Sequence, residues 1–174
     1  MIKLVDNFPN QLKHALSIAN AAILNEPNIP IQNIVITGLG GSGIGGTIIA
    51  ETLLDKLMVP VVVNKDYFLP AFVNENTLLI VSSYSGNTEE TVEAMQQAIT
   101  KKAQIVCITS GGKILELAKQ NFTTAQIVYH LNEKEFVAKH GLIPFKILCH
   151  QVPSNQKNFR FLPKHYFICT IRWR

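Results

Sequence analysis

The chain has 174 residues, 47% of them hydrophobic and only 16% charged, enough for one ordinary domain with a sizeable core and too apolar for a disordered chain. No apolar run reaches the ~18 residues of a membrane span, and Met1 to Pro9 lacks the apolar core and cleavage site of a secretory signal. The net charge of +4 is unevenly spread: residues 1–135 hold 9 Lys against 12 acids, net −3, while 136–174 hold 4 Lys, 3 Arg and no acid, net +7.

In chain order, Leu12, Ala15, Leu16, Ala19 and Ile23 recur at helical spacing and predict an amphipathic helix over 9–24. Five short runs rich in β-branched and aliphatic residues follow: Asn33–Thr37, Pro60–Asn64, Thr77–Ser82, Gln104–Ile108 and Gln126–His130. Each is almost continuously apolar, as expected of strands buried on both faces. Between them helical patterns run over Ile44–Leu57, Thr88–Lys102 and Lys113–Gln120, whereas Asp66–Asn76 reads as a loop or a short turn of helix. Alternating strands and helices imply a parallel sheet covered on both faces through right-handed crossovers. Composition changes near residue 140, after which there is one glycine, Gly141, and no alanine. The expected division is a domain over 1–140 and an atypical basic tail over 141–174.

Ligands of such sheets bind beyond the carboxyl ends of the strands. After the first strand, Gly38 to Gly46 contains six glycines in nine residues. Glycine lets backbone N–H groups approach a ligand, and a following helix adds unpaired donors and a positive dipole end, a combination suited to phosphate. The competing reading is close packing of strand, turn and helix, for which one or two glycines would suffice. After the third strand comes Ser82-Ser83-Tyr84-Ser85-Gly86-Asn87-Thr88-Glu89-Glu90-Thr91. Ser85 and Thr88 could each donate a hydroxyl hydrogen to a phosphate oxygen. Capping accounts for Asn87, Glu89 and Glu90, but not for three serines and a glycine before them. Gly38, Gly40 and Gly43 also satisfy the dinucleotide pattern G-x-G-x-x-G. That pattern wants an acid at the end of the second strand, where Asn64 stands two residues before Asp66.

The strings Gly-Leu-Gly-Gly-Ser-Gly-Ile-Gly-Gly at 38–46, Ser-Ser-Tyr-Ser-Gly-Asn-Thr-Glu-Glu-Thr at 82–91 and Ile-Thr-Ser-Gly-Gly-Lys at 108–113 resemble the first half of the bifunctional phosphoglucose/phosphomannose isomerases, enzymes built from two sugar-isomerase (SIS) domains. The resemblance covers residues 1 to about 140. It implies a three-layer α/β/α sandwich with a five-stranded parallel sheet, dimeric and cytoplasmic. Gly41 and Ser42 would contact the sugar end of a hexose 6-phosphate, Gly40 would shape the loop, and Ser83, Ser85 and Thr88 would hold the phosphate. The family reaction moves a proton between C1 and C2 of the opened sugar. It needs a base, a ring-opening acid and a cation near the developing oxyanion. No cofactor or metal is implied.

This chain departs from the pattern after the last strand, where Gly141 to Lys146 has Lys146 and no Arg. The second SIS domain, which supplies the family's base and ring-opening histidine, is not in the sequence, and residues 147–174 do not resemble its start. A truncated or out-of-frame end is therefore expected, with no catalytic residue identified and little turnover. The other readings are a non-catalytic phosphosugar-sensing module and a nucleotide-dependent (NAD) oxidoreductase. The tail's arginines and aromatics are thin support for nucleic-acid binding. Cys107, Cys149 and Cys169 are odd in number and widely spaced, fitting a reduced cytoplasmic protein, with Cys107 as core packing. The histidines are not spaced as metal ligands.

Overall fold

The computed structural model describes residues 29–121, the backbone of 128–130, and Pro9, Asn10 and Lys13, the last three all helical. The rest of the expected first helix, Gln126 and Ile127 of the expected fifth strand, and everything beyond His130, including the boundary near 140, lie outside the described residues. Five strands form one sheet: β1 (Asn33–Thr37), β2 (Val61–Asn64), β3 (Thr77–Ser82), β4 (Gln104–Thr109) and β5 (Val128–His130). The helices are α1 (Gly40–Thr52), α2 (Glu89–Thr100) and α3 (Gly112–Asn121). All pairings are parallel, in the spatial order β2-β1-β3-β4-β5.

That order and the handedness of crossovers together fix the layers. The chain leaves β1 toward β2 through α1, then returns past β1 to β3 and continues outward through α2 and α3. Right-handed connections travelling in opposite directions must lie on opposite faces. The core divides accordingly. Ile34 and Ile36 of β1 pack with Leu78, Ile80, Val106 and Ile108 under Ile49 and Leu53 from α1 and the turn that follows it. Val35, Leu79, Val81, Ile105 and Cys107 pack under Val92 and Met95 of α2 and Ile114 of α3. The alternation of side chains along each strand sends neighbours to opposite layers, so a continuous apolar run serves both. Burial pushes the Cys107 thiol up to about 12, as befits a core residue without a thiolate role.

The β2–β3 connection has no helix. Residues 65–76 cross as a loop, held by buried Leu69 and Val73 against the α2 side and by Gln97, whose amide bonds Leu69 N and Tyr67 O. Among the described residues no helix is long and apolar enough to cross a membrane.

Candidate functional site

The sheet reverses its winding between β1 and β3, and the two segments singled out in the sequence leave the carboxyl ends of these two strands. A crevice opens at such a reversal because the flanking connections diverge to opposite faces.

On the β1 side, α1 begins at Gly40 rather than at the expected Ile44, and it ends at Thr52 rather than Leu57. The glycine run is thus the helix's own first two turns. It lies so close to β1 that a Cβ on Gly43 would sit 2.5 Å from Gly38 O, and one on Gly46 2.9 Å from Ile36 Cγ2. Gly38 is hemmed in as well, its missing Cβ 2.6 Å from Ser82 O. Close packing therefore uses three glycines, more than the one or two the sequence reading allows it. Gly40 and Gly41 are different: a Cβ on either would meet nothing within 4 Å. They border open space at the crevice, beside half-buried Ser42.

On the β3 side, residues 83–88 form a tight, heavily bonded loop. Ser83 Oγ accepts from Gly86 N (3.2 Å) and lies 3.0 Å from Thr88 Oγ1. Ser85 Oγ accepts from Asn87 N at 3.3 Å, and Ser85 is exposed. Because Ser83 and Thr88 share a single hydrogen in their mutual bond, one of their two hydroxyl hydrogens is left for an outside acceptor. A third segment clamps this loop from behind. Ser110 N and Oγ both donate to Tyr84 O, at 3.0 and 2.6 Å, and Ser83 N donates to Ile108 O. Gly86, at φ 68°, comes so near that a Cβ would fall 1.8 Å from Gly111 O.

The helix ends make the sharpest distinction. Three helices start at this edge of the sheet. Two first-turn amides of α3 are satisfied by protein: Lys113 N donates to Asn87 Oδ1 and Ile114 N to Gly86 O, both at 3.0 Å. Asn87 thus caps the neighbouring helix and not its own, contrary to the sequence reading. Neither α1 nor α2 has a side-chain cap. Thr88, at the cap position of α2, spends its hydroxyl on Ser83 instead. The two ends without a side-chain cap are those flanking the crevice, and their first-turn amides, which have no partner within the helix, can donate to an anion.

Residues 28–130 match the family model of the SIS domain. The chain belongs to the SIS domain family. It is similar to the bifunctional phosphoglucose/phosphomannose isomerase of Caldicellulosiruptor bescii, with 49% identity over 121 residues, 70% of this chain and 36% of that one. Its similarity to the enzyme of the same name from Thermoplasma acidophilum is 53% over 85 residues, 49% of this chain and 26% of that one. The chain spans between about a quarter and a third of the length of these curated relatives. Its fold is like that of a candidate phosphosugar isomerase from Clostridium difficile 630, with a TM-score of 0.59 at 21% identity, covering 80% of this chain and 41% of that one.

In this SIS domain the six residues expected to hold substrate fall into two groups, one on each wall of the crevice. Gly40, Gly41 and Ser42 form the first turn of α1, while Ser83, Ser85 and Thr88 lie in the β3 loop. Glu89, an awkward neighbour for a phosphate, has its Oε2 3.5 Å from Tyr67 Oη, which donates to it. Tyr67 in turn has its pKa raised, chiefly by Glu90, then by burial and Glu89. At the place where a dinucleotide fold wants an acid, Asn64 Nδ2 donates to Asp66 O, and Asp66 Oδ1 accepts from Tyr67 N. Two residues went unassigned in the sequence. Ser110 clamps the hydroxyl loop, and its string at 108–113 was visible without a role. Lys65 lies beside the glycine helix, its Cε 3.5 Å from where a Cβ of Gly43 would be. Its only sequence signal is that it follows the carboxyl end of a strand. Among the described residues no group of His, Cys, Asp or Glu could hold a metal ion.

Proposed function

We propose that this chain is the phosphosugar-binding SIS domain of an aldose–ketose isomerase that interconverts glucose 6-phosphate or mannose 6-phosphate with fructose 6-phosphate. The observation that carries the reading is the pair of uncapped helix ends, α1 and α2, facing one crevice while the adjacent α3 is capped by Asn87. Ser83, Ser85 and Thr88 hold the phosphate with the first-turn amides of α2. Gly41 and Ser42 meet the sugar, with Gly40 shaping the turn. The names of the relatives above supply the substrate class.

The domain unit is taken as 1–140, with 141–174 a basic tail apart from it, on the strength of the change in composition near residue 140. A cytoplasmic homodimer is the setting that the family resemblance supports. Residues 1–174 by themselves bind phosphosugar and turn it over little, because Glu89 and Glu90, the acids nearest the proposed site in sequence, are at the phosphate end, the wrong end for proton transfer between C1 and C2.

Calorimetric titration with fructose 6-phosphate, glucose 6-phosphate and NAD tests the binding class, and a coupled isomerase assay tests turnover. The two sugar phosphates should bind and NAD should not. Replacing Ser85 by Ala should weaken sugar-phosphate binding by about 1.5–3 kcal/mol through loss of a charge-assisted hydrogen bond, with little effect on folding. Unchanged affinity would remove Ser85 from the site.

A further inference from the structure

Lys65 follows the carboxyl end of β2, and its stem passes 3.5 Å from the position a Cβ of Gly43 would occupy, against the first turns of α1. It is exposed, and no carboxylate pairs with it among the described residues. The nearest acid in sequence, Asp66, has its Oδ1 engaged by Tyr67 N. A lysine stem lying against a helix while its ammonium reaches water is the usual way such a residue presents charge.

Its place in the strand order gives that charge a direction. The proposed phosphate loop leaves β3, the glycine helix leaves β1, and Lys65 leaves β2, so the three stand in a row. Two strand spacings separate the ends of the row, about 10 Å. That span is comparable to an extended six-carbon phosphate ester. A sugar phosphate with its phosphate at Ser83, Ser85 and Thr88, lying across Gly41, would bring its C1–C2 end toward Lys65.

We propose that Lys65 is a binding and specificity residue that faces the carbonyl end of the open-chain sugar phosphate, remote from the phosphate. This rests on the reading of the crevice given above and adds a charged residue for the end of the ligand remote from the phosphate. The site then favours ligands with negative charge or a polarised oxygen at both ends. A phosphorylated aldonate, whose carboxylate replaces the C1–C2 carbonyl, should bind more tightly than the phosphorylated sugar alcohol of equal length.

Calorimetry on the full chain with these two compounds, fructose 6-phosphate and inorganic phosphate separates the two levels of the argument. Lys65→Met keeps the stem and removes the charge. It should weaken the aldonate phosphate by about tenfold or more, the loss of one charge-assisted contact, and erase its advantage over the alcohol. Inorganic phosphate should change by less than about twofold, since a charge a Debye length away is largely screened. Lys65→Arg should restore the preference, and Lys65→Gln carries the same comparison if the Met variant does not fold. An undiminished aldonate preference in the uncharged variant overturns the role of Lys65 while leaving the crevice intact. A wild-type chain that binds neither inorganic phosphate nor fructose 6-phosphate overturns the crevice reading and this inference with it.

Discussion

The two walls of the crevice are built on opposite principles. On the β1 wall the backbone is brought in by removing side chains: Gly43 and Gly46 let α1 settle onto Gly38 and Ile36, while Gly40 and Gly41 stay open. On the β3 wall the loop is held by polar bonds, through Ser83, Asn87 and Ser110, and locked by the near contact of Gly86 with Gly111. One wall owes its shape to van der Waals packing against a strand, the other to a closed set of hydrogen bonds with the next loop. The difference teaches that glycine content alone does not locate a ligand. On the β1 wall the glycines that meet nothing, Gly40 and Gly41, are the ones available to it.

The largest expected effect comes from breaking the lock. Gly86→Ala combines a positive φ with a contact no backbone can accept, and should cost about 3 kcal/mol or more of stability by mechanisms of strain and overpacking. Gly41→Ala is the matched control on the other wall. With open space and helical backbone it should be neutral or stabilising by up to about 1 kcal/mol, while interfering with ligand. Urea denaturation of the two variants measures the contrast, and equal destabilisation would mean that the walls are not built differently.

A smaller effect is expected at the seam between loops. Asn87→Ala removes the cap from Lys113 N and should cost about 1 kcal/mol, read as a lower urea midpoint with an unchanged slope. An unchanged midpoint would show that solvent replaces the cap without loss.

A change of comparable size and opposite sign is expected beneath the glycine wall. Thr37, fully buried at the end of β1, has a hydroxyl with no hydrogen-bond partner among the described residues. Thr37→Val keeps the branched shape and removes an unsatisfied group, so stability should rise by about 1 kcal/mol. A loss of that size would reveal a partner for the hydroxyl.

Much of this architecture is legible in the sequence. Asn33–Thr37 and Thr77–Ser82 read directly as strands, because a run buried on both faces has to be apolar throughout. The opening of α1 is not legible, since Gly40 to Gly46 carries almost no side chains from which a helical period could be read. Which glycines pack and which stay open depends on the distance to β1, a tertiary fact. The same holds for Asn87, whose local context predicts a cap on α2 and whose actual partner, Lys113, is 26 residues away. The hydroxyls of Ser83, Ser85 and Thr88 announce a polar loop in the sequence. Only the clamp by Ser110, and the uncapped start of α2, give that loop a direction.

The central claim is that phosphosugar occupies the crevice between the two walls. Amide chemical-shift mapping of the labelled full chain with fructose 6-phosphate tests it most directly. The account predicts saturable shifts concentrated at Gly40 to Ser42 and at Ser83 to Thr88, with the α3 amides capped by Asn87 and Gly86 moving less. Saturable shifts that spare both segments, or no shifts at all, would contradict it.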